Sequence, residues 1–380
     1  MKTTELSVIE LSGSPGDRGR RYGEIAKPLI ARMVKAWRAD LGNFSHNGIA
    51  ANAAIDSDVY LSEFLAQTDY LSAIEKWTPD LLEEVKGIAE GSAQKFEHIL
   101  GLQLVDEEWV FGLRRSLNKP TTKCTAFGVP DQANGISYAG QNMDVPSWVE
   151  GNQVLLRIMA TKTSPEALIF SIAGSVGLKG LNASGVGITC NTLAQLNYAV
   201  DGLPVLFIVR SILEKRTIDE AEVFLRSIKH ASGQNYILSA RGDMRCFECC
   251  GTSVVRYTPE KIQGRVFHSN HPLVNQDVCN FLPPIKRRSN NSVARFTSIS
   301  ERLGDISQLL TLDDIKAALA AHDDIDNPVS RVISPGNTTN SIGYTASSSI
   351  YELGAIPRLH LAAGPPCETE FEIFEFTGQQ

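Results

Sequence analysis

The chain has 380 residues and a net charge of −7, from 36 basic and 43 acidic side chains, with 43% apolar and 21% charged residues. This is the composition of an ordinary globular protein, long enough for one large core or two domains. The acidic balance argues against nucleic acid and anionic membranes as main partners. The seven cysteines are odd in number and mostly scattered, so a disulfide framework is not expected.

Targeting and membrane signals are not visible in the sequence. Residues 1–8 lack an apolar core of the length that a secretory signal needs. No run approaches the roughly 18 apolar residues of a membrane helix. We therefore expect a cytoplasmic protein without a membrane partner.

The first third of the chain carries mostly helical patterns. Residues 4–11 alternate like a short strand, and Ser14-Pro15 supplies a cap and a first-turn proline for a helix that should reach about Leu41. Further helices are predicted at 57–76, from Thr78 to about Gly91, and at 97–114. The polar segment 114–123 then predicts an exposed loop.

From Cys124 onward the pattern changes to strands joined by turns, with a few helices. This order predicts an α+β fold in which helices cover two antiparallel sheets. Helices are predicted at 204–215, 217–229 and 291–303, and from Thr311 with Asp314 in the capping-box position. Strands are predicted at 124–130, 136–142, 153–160, 167–173, 235–240, 244–250, 252–258, 341–350 and 370–377, with two more around the turn at 182–185.

Cys124 stands where the helical pattern ends and the strand pattern begins. Most free cysteines are small buried hydrophobes, and that reading applies here as well. A nucleophile opening a strand well inside the chain is also what a self-cleaving amidohydrolase needs. Its backbone is cut just before the nucleophile, and the new α-amino group becomes the catalytic base.

Several polar residues are candidate partners of Cys124. Asp144 ends the next strand, and antiparallel pairing would bring it beside Cys124, although a turn-forming Asp is nearly as good an interpretation. Asn191 and Asn270 stand at strand ends, where an amide can either cap a turn or stabilise an oxyanion. Arg295 lies on a predicted helix, and from the residues alone a surface arginine is favoured.

Other reactive residues give weaker signals. His268 and His271 have no carboxylate at ligand spacing, so a structural role is favoured over a metal site. The pair Cys246 and Cys249 lacks the second pair that a zinc site would need. Neither a phosphate-binding glycine loop nor a Gly-x-Ser-x-Gly elbow is present.

Five segments, taken together and in order, resemble one known family. They are Gly16-Asp17-Arg18-Gly19-x-x-Tyr22-Gly23, Cys124-Thr125-Ala126-Phe127, Gly140-Gln141-Asn142-Met143-Asp144, Gly180-Leu181-Asn182-x-x-Gly185-Val186 and His268-Ser269-Asn270-His271-Pro272. The chain resembles the isopenicillin-N acyltransferase family of N-terminal nucleophile hydrolases over nearly its whole length. It is more distantly similar to the bile-salt hydrolases and penicillin V acylases.

The resemblance implies an αββα sandwich preceded by a helical segment. It implies cleavage between Lys123 and Cys124, which would separate a mainly helical part, 1–123, from a catalytic part, 124–380. Cys124 would be the nucleophile and, through its new amine, the base. Asp144 would orient that amine, the asparagines Asn191 and Asn270 would stabilise the oxyanion, and Arg295 would match a position used in the bile-salt hydrolases.

The predicted function is hydrolysis of a small N-acyl or amide substrate through a thioester, without metal or organic cofactor. Candidate substrate contacts are Gln141, Trp148 and Thr192. Two other enzymatic interpretations stay open: an acyltransferase that passes the acyl group to an amine, and an uncut cysteine hydrolase with His268 or His271 as base. A non-catalytic binding protein on the same fold is a further alternative. The partner would be a small amide, and a homo-oligomer is possible.

Overall fold

The computed structural model describes residues 6–44, 56–114, 123–130, 134–259, 262, 264–279, 290–333 and 343–378. The predicted loop before Cys124 lies largely outside these residues. Within the described ranges, no helix combines the length and the apolar character needed to cross a membrane.

The helices occupy the N-terminal third and two later stretches of the chain. Their bounds are α1 (Pro15–Ile25), α2 (Lys27–Phe44), α3 (Ser57–Ala66), α4 (Tyr70–Trp77), α5 (Pro79–Ser92), α6 (Phe96–Gln103), α7 (Val105–Arg114), α8 (Val205–Ile212), α9 (Ile218–Ser227), α10 (Asn290–Leu303) and α11 (Leu312–Leu319).

The strands lie mostly after α7. Their bounds are β1 (Ser7–Leu11), β2 (Lys123–Val129), β3 (Ser137–Pro146), β4 (Gln153–Ile158), β5 (Ala167–Ile172), β6 (Lys179–Asn182), β7 (Gly187–Thr192), β8 (Gln234–Ala240), β9 (Asp243–Cys249), β10 (Val254–Tyr257), β11 (Val266–His268), β12 (Gly343–Leu353), β13 (Pro357–Ala362) and β14 (Glu372–Phe374).

The strands form two sheets. The larger sheet has the order β1-β4-β5-β6-β7-β8-β9-β10, and the smaller has the order β11-β2-β3-β12-β13-β14. Among the described strands, all pairings are antiparallel except that of β1 with β4, which is parallel. Strands that are joined by short connections pair antiparallel, as most of the later strands do. A parallel pairing needs a long connection, and β1 is separated from β4 by the whole helical segment.

The two sheets face each other, and helices cover their outer faces. Strand β2 packs across from β7, while α8 and α9 lie against β6, β7 and β8 of the larger sheet. Alternation along β2 sends Cys124 and Ala126 into the core between the sheets, and Phe127 and Val129 into a second core with α10 and α11. The predicted αββα sandwich is confirmed.

Several predicted helices are divided in two. The helix expected from Ser14 to about Leu41 is broken at Ala26, one residue before the Lys27-Pro28 pair. Proline removes a backbone donor and disfavours the helical conformation of the residue before it. The segments predicted at 57–76 and 97–114 are likewise split, into α3 with α4 and α6 with α7.

Glycines allow α1 and α5 to pack backbone against backbone. A Cβ atom on Gly19 would lie 2.0 Å from the carbonyl oxygen of Glu84, and one on Gly91 would lie 2.0 Å from that of Arg20. A side chain at either position would therefore force the helices apart. Buried Glu84 also accepts hydrogen bonds from Arg18 at 2.9 Å and from Arg210 of α8 at 3.4 Å, which ties the helical segment to the sandwich.

Candidate active site

Cys124 is the second residue of β2, and its thiol points into the space between the sheets. The antiparallel register pairs Cys124 with Met143 and Lys123 with Asp144. The pairing therefore brings Asp144 next to Cys124, as the sequence predicts from a hairpin. Only 6% of Cys124 is exposed.

The backbone of Cys124 is held on both sides. Its N–H donates to Oδ1 of Asn270 at 2.6 Å, and its carbonyl oxygen accepts from Nη1 of Arg295. The two partners also contact each other, because Nη2 of Arg295 donates to the same Oδ1 at 3.0 Å. The peptide bond before Cys124 thus ends at a nitrogen whose position is fixed by a side chain.

Arg295 is buried, with 1% of its surface exposed, so the interpretation as a surface arginine is wrong. Its remaining donors reach Oγ1 of Thr125 and Oδ1 of Asn291, both at 2.9 Å. Burial lowers the pKa of Arg295 to about 10, which still leaves the guanidinium charged near neutral pH. The positive charge lies beside the backbone of the proposed nucleophile.

The two asparagines are used differently. The Nδ2 of Asn270 donates to the carbonyl oxygen of Thr192 at 3.1 Å, so Asn270 bridges Cys124 and the end of β7. Its oxygen, rather than its amide N–H, faces Cys124 in this structure. A role of Asn270 as oxyanion donor would therefore require Nδ2 to leave Thr192.

Asn191 is the neighbour of Thr192 and is completely buried. Its Oδ1 accepts from Nδ2 of Asn235 at 3.0 Å, while its own Nδ2 has no hydrogen-bond partner among the described residues. It shares a face of β7 with Gly187, which abuts Tyr351 of the opposite sheet. A buried amide donor without an acceptor is available for an oxygen that develops charge.

Asp144 is 1% exposed and lies among polar partners. Its Oδ1 accepts from Oγ1 of Thr345 at 2.7 Å, and Nε of Arg331 is 3.9 Å from its Oδ2. Burial raises the pKa of the Cys124 thiol to about 12, and the charge of Asp144 contributes to this rise. A backbone hydrogen bond from Asp144 and the charge of Arg295 act in the opposite direction and lower the pKa. The thiol is therefore protonated near neutral pH and needs a base or a positive charge to react.

The three predicted substrate contacts have different surroundings. The side-chain amide of Gln141 is buried and bonded to the backbone N–H and carbonyl of Cys190 in the facing sheet. Thr192 donates through Oγ1 to Asp106 at 2.9 Å. The indole N–H of Trp148, in a short 3-10 turn after β3, is buried without a hydrogen-bond partner among the described residues. Of the three, Trp148 alone retains a buried polar side-chain atom without such a partner in the described part of the chain.

His268 has the structural surroundings that the sequence favours. It is completely buried, and its ring nitrogens contact Oε1 of Glu248 and the carbonyl oxygen of Ser269, both at 2.9 Å. Glu248 also accepts from the backbone N–H groups of Leu273 at 2.5 Å and Asn275 at 2.6 Å. The pair therefore clamps the loop that carries Asn270.

Sequence reasoning missed Glu248, Lys179, and the acidic pair Asp106 and Glu107 at the start of α7. Glu248, Lys179 and Glu107 are buried, and Asp106 is partly buried. Burial raises the pKa of Glu107 to about 8, and the charge of Asp106 adds to the rise. The available signal was a charged residue within an otherwise apolar stretch, which for Glu248 was hidden by the neighbouring cysteines.

Within the described ranges, no group of three or more His, Cys, Asp or Glu side chains is placed to hold a metal ion. Cys246, Cys249 and Cys250 are buried free thiols.

Comparison with known proteins identifies the family. Residues 131–353 match the family model of acyl-coenzyme A:6-aminopenicillanic acid acyl-transferase. The chain belongs to this acyl-transferase family. The predicted resemblance is thereby confirmed, over a stretch that includes Asp144, Asn191, Asn270 and Arg295 and begins just after Cys124.

Two solved structures are similar to this acyl-transferase family member. An N-acylethanolamine-hydrolyzing acid amidase ortholog from Caenorhabditis elegans is 13% identical, with a TM-score of 0.40, and the match covers 60% of this chain and 92% of that one. Penicillin V acylase from Agrobacterium tumefaciens is 17% identical, with a TM-score of 0.44, and the match covers 67% of this chain and 86% of that one. No curated protein matches the chain.

Proposed function

We propose that the chain is a self-processing cysteine amidohydrolase. It cuts its own backbone before Cys124 and then cleaves the amide bond of a small N-acyl substrate through a thioester. The observation that carries this proposal is the arrangement around Cys124, where the backbone nitrogen is bonded to Asn270 and the carbonyl to Arg295 while the thiol points inward. A merely buried cysteine has no need of charged and amide groups on both sides of its backbone.

The self-cleavage step is an acyl shift from nitrogen to sulfur. The Sγ of Cys124 bonds to the carbonyl carbon of Lys123, the bond from that carbon to the Cys124 nitrogen breaks, and the thiol proton ends on the released amine. Water then hydrolyses the thioester, giving a carboxylate on Lys123 and restoring the thiol. The hydrogen bond from the Cys124 nitrogen to Asn270 keeps that nitrogen in place throughout.

Turnover of an external amide uses the same atoms. The α-amine of Cys124 takes the thiol proton while Sγ attacks the substrate carbonyl, and it returns the proton to the leaving amine. The unpaired Nδ2 of Asn191 supports a role as donor to the oxyanion. Asp144, next to Cys124 in the strand pairing, is proposed to orient the amine.

Acyl transfer is the second candidate, and membership of an acyl-transferase family favours it. In that reaction an amine, rather than water, takes the acyl group from the thioester. The interpretation with His268 as base receives no support from its surroundings, because both ring nitrogens are already engaged in a buried clamp.

Intact mass of freshly purified protein tests the proposal. We expect two fragments that divide between Lys123 and Cys124, and a single full-length mass for Cys124→Ala. Cys190→Ala, which also removes a buried thiol, is the matched control and should be cut like the wild type. A cut Cys124→Ala chain would contradict the proposal. Incubation of the cut protein with small N-acyl amides, with and without added amine, then separates hydrolysis from transfer.

A further inference from the structure

Lys179 is a lysine in the space between the two sheets, and none of its surface is exposed. It lies on β6, and its Nζ donates to the carbonyl oxygen of Gln141 at 2.9 Å and to that of Ser347 at 3.3 Å, both in the opposite sheet. Nζ is also 5.4 Å from the centre of the Phe170 ring. The ammonium is therefore held in place by neutral groups.

Among the described residues, Lys179 donates to the backbone carbonyls of Gln141 and Ser347 and has no ion pair with a carboxylate, although burying an unpaired charge is costly. Burial lowers the pKa of Lys179 to about 7, so the amine is partly protonated at neutral pH, and the charges of Cys124 of β2, Cys190 of β7 and Asp144 of β3 favour its protonated form. Two of these three groups belong to the proposed site. The strand register also places Lys179 near the nucleophile, because its acceptor Ser347 pairs with Met143, and Met143 pairs with Cys124.

Self-cleavage poses a problem that substrate turnover does not. In the uncut chain the nitrogen of Cys124 is an amide and cannot act as a base, while burial raises the pKa of the thiol to about 12. Arg295 is charged, but its donors are engaged with the Cys124 carbonyl, Thr125, Asn270 and Asn291. A positive charge on the thiol side of β2 would favour the thiolate.

We propose that Lys179 is a positioning residue for the first step, whose ammonium, held by the carbonyls of Gln141 and Ser347, favours the Cys124 thiolate in the uncut chain. The inference rests on the proposed self-processing function. Lys179 acts through its charge and takes no part in bond making. Once the cut has produced an α-amine, that amine takes over as base, so the requirement for Lys179 is greatest before the cut.

The test follows cleavage of freshly synthesised chain by gel over a range of pH. Lys179→Met removes the charge and keeps an apolar stem, and Lys179→Arg keeps a charge. We expect Lys179→Met to be cut at least about tenfold more slowly near neutral pH, since one pKa unit is a tenfold change in thiolate. We expect Lys179→Arg to restore cleavage. Lys215→Met, in which the lysine over Phe224 is removed instead, is the matched control and should behave as wild type.

A second readout does not depend on cleavage. Alkylation of Cys124 by iodoacetamide, followed in the peptide 124–157 by mass spectrometry, gives the pH midpoint of the thiol. We expect the midpoint of Lys179→Met to rise by about one unit or more and that of Lys179→Arg to stay at or below the wild-type value. A purely structural role would slow cleavage at every pH without moving this midpoint.

The outcomes separate the two proposals. A wild-type chain that is never cut overturns self-processing, and the alkylation midpoints of the uncut chain still decide the role of Lys179. Equal midpoints in wild type and Lys179→Met overturn that role. If Lys179→Met does not fold, Lys179→Gln takes its place, and a Lys179→Gln midpoint equal to that of wild type overturns the role.

Discussion

Cys124 has two flanks that differ in how their polar groups are used. The outer flank, Asn270 with Arg295, comes from the α10 side, and its donors are all engaged with backbone and side-chain oxygens. The inner flank, Asn191 with Lys179, comes from the larger sheet. It keeps an unpaired amide donor and a cation bonded only to neutral carbonyls. The outer flank fixes the backbone of Cys124. The inner flank holds the polar groups that are available to stabilise charge during the proposed reaction.

The largest effect should follow from breaking the outer flank. Arg295→Met removes the buried donor to the Cys124 carbonyl and one of the two donors to the amide oxygen of Asn270, so we expect a loss of about 3 kcal/mol or more in the free energy of unfolding. Cleavage should stop as well. Urea unfolding and intact mass check this. Arg295→Lys should rescue little, because one ammonium cannot reproduce the planar fork. Wild-type stability in Arg295→Met would refute the assigned role of this flank.

Breaking the inner flank should affect rate much more than stability. Asn191→Ala removes the unpaired Nδ2, so we expect amide turnover to fall about 100-fold or more. Its cost to folding should be only about 1 kcal/mol, from the bond that Asn235 loses. Rates on a small amide and urea unfolding measure the two effects. Asn270→Ala is the contrasting variant and should lose both rate and stability. Equal behaviour of the two variants would remove the distinction between the flanks.

A substitution at Glu248, which holds the loop that carries Asn270 of the outer flank, should have a smaller effect. Contact with His268 and the backbone N–H groups of the loop lowers the pKa of Glu248, against the effect of burial. A lowered folded-state pKa gives stability that is present above the ordinary value of 4.5 and is lost as the pH falls through the folded value. Glu248→Gln should therefore cost about 2 kcal/mol at neutral pH and flatten the acid limb of the unfolding curve. If Glu248→Gln lost stability at acid pH as the wild type does, the charge of Glu248 would not contribute to its hold on the loop.

Glu107 should give the smallest change. Its folded-state pKa is raised to about 8, so the stability linked to its proton is complete below the ordinary value of 4.5 and is lost as the pH rises through about 8. Between about pH 7 and 9 the wild type should lose roughly 1 kcal/mol more than Glu107→Gln. Thermal unfolding at a series of pH values measures the difference. If the stabilities of wild type and Glu107→Gln changed with pH in the same way, Glu107 would not be the group that loses its proton in this range.

Local patterns were sufficient for much of the fold. The capping box from Thr311 to Asp314 forms as predicted, and alternation around Cys124 predicts both the strand and the proximity of Asp144. The breaks at Ala26 and Leu104 were not predicted, because a one-residue break does not interrupt an apolar stripe. The parallel pairing of β1 could not be predicted either, since the partner strand lies far along the chain.

The site was less predictable than the fold because its contacts join distant residues. Arg295 looks like a surface residue on its helix, and its burial follows from contacts with Cys124 and Asn270, which come from two other elements. The role of Lys179 could not be predicted from the sequence, because its acceptors are backbone carbonyls, which any residue supplies. Such roles depend on where strands cross between the sheets.

The parallel pairing of β1 with β4 has a consequence for what a cut would produce. Residues 7–11 precede Cys124 and residues 154–158 follow it, yet they share one ladder of hydrogen bonds. A cut before Cys124 would therefore release no propeptide. It would convert one polypeptide into two that remain interlaced, so denaturing electrophoresis would resolve two bands where native electrophoresis shows one. Neither piece would be expected to form this sheet when produced without the other.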